Sequence, residues 1–517
     1  MCNRASINRM SARNVSALPI MLVVYGLALL AGGVLPLAFA PLGWYWLAVL
    51  SPAVLFLLAV RLPKRAALWA SYFFGLGYFG VGVSWVFISI NRYGSGPVAA
   101  LLVTVGFVAL LALFPWSVVF LVRTLSARMN GVALWFGLPA AWVLSEWVRL
   151  WFLTGFPWLF LGYSQIGTPL AAIAPVFGVL GVSFVVTVMA GGLAWMILRL
   201  SLRRLGITSG ALVALLLGIS LLDREWTEPV VAKPLSIALV QGNVEQDRKW
   251  ESGALAFTLR RYRALTQPYA GTDLIVWPET AVPAWFDQTS EYLDRLQVRL
   301  GERGSTLMLG IPMRTRQGEA YNSAVSLARP SQFYYKRHLV PFGEYVPLRR
   351  FVGPWLNILG APLEDFRAGQ QPQLLYASGM PIGALICFDV VFGAEVTDLL
   401  PTAQLLVNLS NDAWFGDSLG PHQHLQITQM RAVETGRPLV RSTNTGLTAV
   451  IDHNGQLLAR APQFEPTVLQ AEVTPRTGTT PYVRWQDKPV LAVVGIALVV
   501  LVGVGKRDKR NSVSLSA

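Results

Sequence analysis

The chain has 517 residues, of which 54% are hydrophobic and only 14% charged, and its formal net charge is +14. Soluble domains carry about 25% charged residues, so this composition excludes a disordered chain and an ordinary cytosolic enzyme. The positive charge is concentrated in the hydrophobic part, since residues 1–222 contain thirteen Lys or Arg and a single acid, Glu146. A basic excess among apolar segments indicates membrane topology rather than a groove for nucleic acid.

Eight apolar stretches are candidate membrane spans, since a helix needs about 20 apolar residues to cross a bilayer. They cover residues 18–40, 42–60, 66–90, 97–122, 132–148, 169–198, 205–222 and 489–504. We expect the first to be a retained helix, because its apolar run is longer than that of a signal peptide. Fifteen Lys or Arg flank the spans at the termini and in alternate loops, against two in the other loops. This distribution predicts cytoplasmic termini and places the segment between the last two spans on the opposite side of the membrane.

Glu146 and Arg149 are three residues apart, so a helix would place both on one face. An acid within a membrane segment suggests a functional site, and the alternative is a structural ion pair at the interface. The aromatic stretch 151–158 that follows contains Gly and Pro and is typical of an interfacial loop.

The character of the sequence changes after residue 222. Residues 223–234 are a polar linker, and residues 235–475 alternate short apolar runs with polar helical stretches, which predicts an α/β domain. The expected organisation is a seven-helix membrane domain over 1–222, the linker, an extramembrane domain over 235–475, an eighth span over 489–505 and a cytoplasmic tail over 506–517.

Three residues of complementary chemistry lie where apolar runs end: Glu279, Lys336 and Cys387. A nearby ammonium lowers the pKa of a thiol, and a carboxylate within reach can take the thiol proton and later return it. The ammonium and a backbone N–H can also stabilise a tetrahedral oxyanion. Taken singly, each residue has an ordinary explanation, namely a loop acid, a surface lysine and a buried small side chain. Their spacing does not show that they meet.

The ordered set of motifs resembles the nitrilase superfamily. It consists of Trp-Pro-Glu at 277–279, Lys336, the segment 338–344 that ends in Glu344, and Cys387. The resemblance implies a four-layer α-β-β-α sandwich with a Glu–Lys–Cys triad. With seven spans before the domain and one after it, the chain is similar to the bacterial apolipoprotein N-acyltransferases, the membrane-anchored members of that superfamily.

The same resemblance suggests further site residues. It places Trp250 near the entrance of the site, and we expect Trp414 and Phe415 to help admit an acyl chain, although packing alone would also explain these aromatic residues. Many members have Tyr-Glu after the nucleophile, whereas this chain has Phe388 and Asp389, without the phenol hydroxyl and with a shorter acid. Both are expected to support the triad, as is Glu344, which would position Lys336 or the attacking groups.

The resemblance implies acyl transfer in two half-reactions. An acyl chain would pass from the sn-1 ester of a membrane phospholipid to Cys387, and from there to the α-amine of the diacylglyceryl-cysteine of an apolipoprotein. The enzyme would lie in the bacterial inner membrane with its catalytic domain on the periplasmic side. No cofactor, metal or nucleic acid is implied, since His422 and His424 do not complete a zinc set, and the oligomeric state cannot be read from the sequence.

Two other classes of protein stay open. A membrane-tethered amidohydrolase would use the same triad and resolve its acyl-enzyme with water. A transporter carrying an inert nitrilase-like domain is the second alternative, and the lack of an internal sequence repeat argues against it.

Overall fold

The computed structural model describes residues 4–93, 96–126, 129–230, 234–249, 251, 253–347 and 365–514. The described N-terminal part consists of helices joined by short loops. Its helices are α1 (Arg4–Val34), α2 (Leu47–Arg61), α3 (Lys64–Gly82), α4 (Trp85–Tyr93), α5 (Pro97–Leu111), α6 (Leu113–Leu125), α7 (Leu138–Val148), α8 (Ala174–Leu198) and α9 (Leu202–Ser220).

Within the described residues, five helical segments are long and apolar enough to cross a membrane. They are Pro19–Ala38, Pro97–Leu125, Pro169–Leu198, Leu202–Ser220 and Lys488–Lys506. Helices α3 and α4 make a sixth if they form one span, which is bent by 53° between them. Helices lie at all eight predicted stretches, but α2 has 15 residues and α7 has 11. Because a perpendicular span needs about 20 residues, the count of eight stays a prediction.

Glu146 in α7 and Arg149, which directly follows that helix, are buried and bind the loop that comes next. Glu146 Oε1 accepts hydrogen bonds from the backbone N–H of Leu161 at 2.9 Å and from the indole of Trp142 at 3.0 Å. Arg149 Nη1 donates to the carbonyl of Trp158 at 2.9 Å. Both side chains therefore hold the aromatic loop against the helix bundle, and their role is structural.

The rest of the chain alternates strands and helices. The strands are β1 (Thr227–Pro229), β2 (Leu235–Gln241), β3 (Leu274–Val276), β4 (Thr306–Arg314), β5 (Ala320–Ser326), β6 (Gln332–Tyr335), β7 (Leu374–Ala377), β8 (Met380–Ile386), β9 (Leu405–Ser410), β10 (Leu439–Thr443), β11 (Ala449–Ile451), β12 (Leu457–Arg460), β13 (Thr467–Val473) and β14 (Arg476–Gly478). The helices are α10 (Ala254–Thr266), α11 (Phe286–Gly301), α12 (Gly393–Thr397), α13 (Leu419–Thr435), α14 (Pro481–Trp485) and α15 (Lys488–Ser514).

Twelve of these strands form two six-stranded sheets. The outer sheet has the order β13-β2-β3-β4-β5-β6, and the inner sheet has the order β12-β11-β10-β9-β8-β7. Each sheet has a parallel centre, β2-β3-β4 in one and β8-β9-β10 in the other, flanked by antiparallel strands. The predicted α/β domain is confirmed. Strand β1, which falls within the predicted linker, pairs with β14.

Side chains alternate between the two faces of each strand, as the pleat requires. In β8, Ile382, Ala384 and Ile386 pack into a core shared by both sheets. Leu385, on the opposite face, packs into a second core that contains the membrane helices. The outer face of the outer sheet is covered by α10 and α11. The inner sheet therefore lies between the outer sheet and the membrane part.

Helix α13 joins the inner sheet to the membrane helices through buried polar contacts. Gln423 Oε1 accepts hydrogen bonds from the indoles of Trp85 at 3.2 Å and Trp158 at 2.6 Å, and its amide donates to the Gly82 carbonyl at 3.1 Å. At the other end of α13, Glu434 Oε1 accepts from the backbone N–H of Val179 at 2.7 Å. These contacts fix the domain relative to the bundle.

Candidate active site

Glu279 lies in a tight turn that follows β3. The turn is pressed against β4 at Gly310, where a Cβ would lie 2.6 Å from the Cα of Glu279 and 2.7 Å from the Pro278 carbonyl oxygen. The next residue, Thr280, has a positive φ of 46°, a conformation that L-residues rarely adopt outside constrained sites. Only glycine at position 310 leaves room for this turn, so β4 sets the position of the carboxylate.

Lys336 directly follows β6 and is buried between two acids. Its Nζ lies 2.8 Å from Glu344 Oε2 and 3.7 Å from Glu279 Oε1. The amide of Asn322 on β5 donates to Glu279 at 2.8 Å and to Glu344 at 2.7 Å. Burial alone would lower the pKa of Lys336, but Glu344 and Glu279 together raise it above its ordinary value. The lysine is therefore held as an ammonium.

Cys387 is the first residue after β8 and has a positive φ of 47°. Strand β8 ends at Ile386, and the chain turns at Cys387. Such strained turns persist where the surroundings enforce them, and they present nucleophiles at strand ends. Burial, with the carboxylate of Glu279, raises the pKa of the Cys387 thiol to about 12, against the effect of Lys336. The resting sulphur is thus a thiol close to both charges.

Asp389 fixes the turn after Cys387. Its carboxylate accepts hydrogen bonds from the backbone N–H of Ile386 at 3.0 Å, from the backbone N–H of His338 at 2.9 Å and from the hydroxyl of Tyr334 at 2.9 Å. Asp389 thus connects the Cys387 turn to the loop that carries Lys336. Burial raises the pKa of Asp389 to about 6.

The neighbouring Phe388 has a packing role in the structure. Its ring packs edge-to-face on Phe392, with the ring centroids 5.1 Å apart, and lies 5.9 Å from the ring of His338.

The predicted entrance residues have different surroundings. Trp414 is 40% exposed. Phe415 packs edge-to-face on Trp85, a residue of the membrane part, with the ring centroids 4.8 Å apart. Trp250 lies outside the described residues.

A buried polar network lies behind the nucleophile. Arg441 donates to both carboxylate oxygens of Asp412, at 2.7 and 2.9 Å, and to the hydroxyl of Ser410 at 3.2 Å. In the parallel strands β8 and β9, Ile386 is paired with Leu409, so the next residues, Cys387 and Ser410, lie side by side. The network therefore extends to the sulphur of Cys387 through the hydroxyl of Ser410. His424 is part of it, 3.6 Å from Asp412, as expected for a structural histidine. Among the described residues, no group of three or more His, Cys, Asp or Glu is placed to hold a metal.

Two residues of the cluster were not predicted from the sequence. Asn322 is the one amide side chain of β5, a strand in which every residue but Tyr321 is buried, and this is a signal that could have been noticed. Lys249 is also buried, and its Nζ donates to the carbonyl of Thr280 at 3.3 Å. Nothing in the local sequence distinguishes it from the exposed Arg248 beside it.

Both parts of the chain are similar to known proteins. Residues 236–482 match the carbon-nitrogen hydrolase family, and residues 31–192 match the apolipoprotein N-acyltransferase N-terminal domain. The extramembrane part is therefore a carbon-nitrogen hydrolase domain. A carbon-nitrogen hydrolase from Helicobacter pylori, 17% identical, is similar with a TM-score of 0.35, over 46% of this chain and 89% of that one.

Full-length relatives extend the match to the membrane part. An apolipoprotein N-acyltransferase of Methylococcus capsulatus is 44% identical over 94% of this chain and 97% of its own length. That of Azotobacter vinelandii is 44% identical over 92% of this chain and 93% of its own length. The chain belongs to the apolipoprotein N-acyltransferase family. The predicted class, a membrane acyltransferase of lipoprotein maturation, is confirmed.

Proposed function

We propose that the enzyme moves an acyl chain from the sn-1 ester of a membrane phospholipid to Cys387, and then to the α-amine of the diacylglyceryl-cysteine of an apolipoprotein. The observation that carries this proposal is the buried cluster of Glu279, Lys336 and Glu344 around a thiol in a strained turn, on a sheet that packs against membrane helices. Covalent catalysis of this kind proceeds in a ping-pong order.

In the first half-reaction, Glu279 takes the thiol proton as the sulphur of Cys387 attacks the ester carbonyl. Because the pKa of the thiol is about 12, the proton is removed during the attack rather than lost beforehand. Lys336 and a backbone N–H near Phe388 stabilise the oxyanion. The C–O bond then breaks, Glu279 returns the proton to the departing oxygen, and a lysophospholipid leaves an acyl thioester behind.

In the second half-reaction, the free α-amine attacks the thioester carbonyl. Glu279 accepts a proton from the amine, the C–S bond breaks, and the proton returns to the sulphur as the amide forms. Glu344 holds Lys336 in place through their 2.8 Å contact, and Asp389 holds the Cys387 turn. Trp414 and Phe415 help to admit the acyl chain.

The proposal includes the arrangement of the chain in the cell. The enzyme has a seven-helix membrane domain at 1–222, a linker at 223–234, a catalytic α-β-β-α sandwich of nitrilase type at 235–475, an eighth span at 489–505 and a cytoplasmic tail. It lies in the inner membrane with the catalytic domain in the periplasm. The positive-inside distribution of Lys and Arg supports this orientation.

The test is intact-protein mass spectrometry of the purified enzyme with phosphatidylethanolamine and no acceptor. We expect a hydroxylamine-sensitive acyl adduct on the wild type and on Cys2→Ala, which removes the only other cysteine of the chain, but none on Cys387→Ala. Absence of an adduct on a folded wild type would contradict the first half-reaction.

Adding a diacylglyceryl-cysteine peptide tests the second half-reaction. The acyl chain should move to the peptide in a hydroxylamine-resistant linkage, because an amide resists this nucleophile. Release of free fatty acid without amide would instead identify a membrane-tethered amidohydrolase.

A further inference from the structure

The buried cluster of Glu279, Glu344 and Lys336 contains two acids but only one lysine, so two ionised carboxylates would exceed the charge of the single ammonium. Glu279 and Glu344 are each 8% exposed and Lys336 is 1% exposed, and the lysine contacts both acids. Two ionised carboxylates and one ammonium leave one uncompensated negative charge. Burying an uncompensated charge is costly, and a buried acid usually escapes the cost by taking up a proton.

Lys249 supplies a second positive charge at this place. The side chain is 1% exposed, and its Nζ donates to the carbonyl of Thr280, the residue that follows Glu279. It comes from the segment after β2, whereas Lys336 comes from the end of β6. Burial lowers the pKa of Lys249 to about 8, and the carboxylate of Glu279 opposes this effect.

We propose that Lys249 is a positioning residue whose ammonium keeps Glu279 ionised, so that Glu279 can act as a base while Glu344 is ionised as well. With Lys249 charged, two ammonium groups balance two carboxylates. Without it, protonation of Glu279 is the simplest way to remove the excess charge, and a protonated Glu279 cannot take the thiol proton. This inference rests on the proposed role of Glu279 as the base.

The other groups that face Glu279 do not supply the missing charge. The amide of Asn322 is neutral, and the thiol of Cys387, with its pKa raised to about 12, is neutral in the resting enzyme. Asp412, which lies behind the thiol, has its own partner in Arg441. Burial and Glu344 raise the pKa of Glu279, and among the described residues Lys336 and, to a smaller extent, Lys249 are the cations that oppose this rise.

The test measures, by mass spectrometry, the rate at which iodoacetamide alkylates Cys387. The pH runs from about 5 to about 9, a range that starts just above the ordinary pKa of a glutamate carboxyl and includes that of a thiol. Lys249→Gln keeps an N–H donor for the Thr280 carbonyl but removes the charge. In this variant we expect the acid limb of the rate profile, the low-pH part in which the alkylation rate rises as Glu279 ionises, to move to higher pH by about one unit. At a given pH on that limb the rate should be roughly tenfold lower than in the wild type. Lys249→Arg should keep the wild-type limb.

Two controls separate charge from structure. Arg248→Met removes an exposed cation from the same segment, where Arg248 pairs with Glu245 at 3.0 Å, and should leave the profile unchanged. Thermal unfolding of each variant reports whether it is folded, and Lys249→Met replaces Lys249→Gln if the latter is not. An acid limb that stays at the wild-type pH in a folded, uncharged variant would overturn the inference.

The test does not depend on the lipid substrate, since alkylation needs no acyl donor. Failure of the phospholipid assay would therefore leave this result standing. A profile that does not respond to Glu279→Gln would instead refute the role of Glu279 itself, and with it the mechanism.

Discussion

Lys336 and Glu344 form a buried ion pair with Nζ and Oε2 2.8 Å apart, a shorter contact than the 3.7 Å between Lys336 and Glu279. Glu344 Oε2 also accepts the backbone N–H of Val340 at 2.8 Å, which ties the acid to its own loop. The proposed oxyanion donor is therefore held by an acid other than the proposed base, and this leaves Glu279 free to exchange protons.

Glu344→Gln tests this division of roles. The substitution removes the charge that holds Lys336, so the ammonium should shift toward Glu279. We expect acyl-adduct formation to slow by roughly 10- to 100-fold, the loss that follows when a catalytic group moves by about 1 Å. Glu319→Gln, in the more exposed pair of Glu319 with Arg367, should retain the wild-type rate. Equal rates in both variants would show that Lys336 does not need Glu344.

Gly310→Ala should displace the turn that carries Glu279, because the new methyl group would lie 2.6 Å from the Cα of Glu279. We expect adduct formation to fall by about 100-fold or more. Gly301→Ala is the matched control, since no atom lies within 4 Å of a Cβ there. An unchanged rate in Gly310→Ala would mean that the turn has room to move without loss of function.

Asp412→Asn should destabilise the protein in a pH-dependent way. Burial would raise the pKa of Asp412, but Arg441 and His424 hold it below the ordinary value. An acid with a lowered pKa stabilises the fold fully above its unfolded pKa of about 3.9. This contribution begins to decrease as the pH falls below that value and is lost as the pH falls through the lower pKa of the folded state.

The measurement is the thermal unfolding temperature in detergent between about pH 7 and about pH 3, across the unfolded pKa of the acid. The variant should lose about 3–5 kcal/mol at neutral pH, as when a buried ion pair is broken, and the difference from wild type should narrow in acid. Glu291→Gln, in an exposed ion pair with Arg295, should match the wild type throughout. If the difference in stability between Asp412→Asn and the wild type stays constant with pH, the lowered pKa assigned to Asp412 is contradicted.

Gln423→Leu tests the junction between the two parts. It would leave the indole N–H groups of the half-buried Trp85 and the buried Trp158 without their acceptor, at about 1–3 kcal/mol each. We expect the unfolding temperature to fall by about 5 °C or more. Gln429→Leu, on the same helix but bonded to the Gly455 carbonyl within the catalytic domain, should have a smaller effect.

The strand-end positions of the reactive residues were predictable from the sequence, because apolar runs mark buried strands. The meeting of Glu279 and Lys336 was not, since it depends on β3 and β6 lying in one sheet and on the register that places Asn322 between the two acids. Lys249 contacts the turn that carries Glu279, which is distant from it in sequence. The residues around Lys249 therefore gave no indication that it belongs to the site.

The membrane helices show a different limit of sequence analysis. Apolar length predicted one span over residues 66–90, whereas the chain bends by 53° between α3 and α4. Hydropathy reports the length of an apolar run but not the backbone geometry within it. The turn at Cys387 is a similar case, because it is set by Asp389 together with Tyr334 and His338, both remote in sequence.

The inner sheet shares a hydrophobic core with the membrane helices, and the outer sheet has its own helices on its far side. Cys387 follows a strand of the inner sheet, whereas Glu279 and Lys336 follow strands of the outer one. The position of the sulphur relative to the membrane helices is therefore fixed by the packing between the inner sheet and those helices. In the proposed mechanism a lipid-linked substrate has to reach the sulphur at that fixed position, and proteins with longer or shorter tethers between their lipid and their folded part will differ in how easily they reach it.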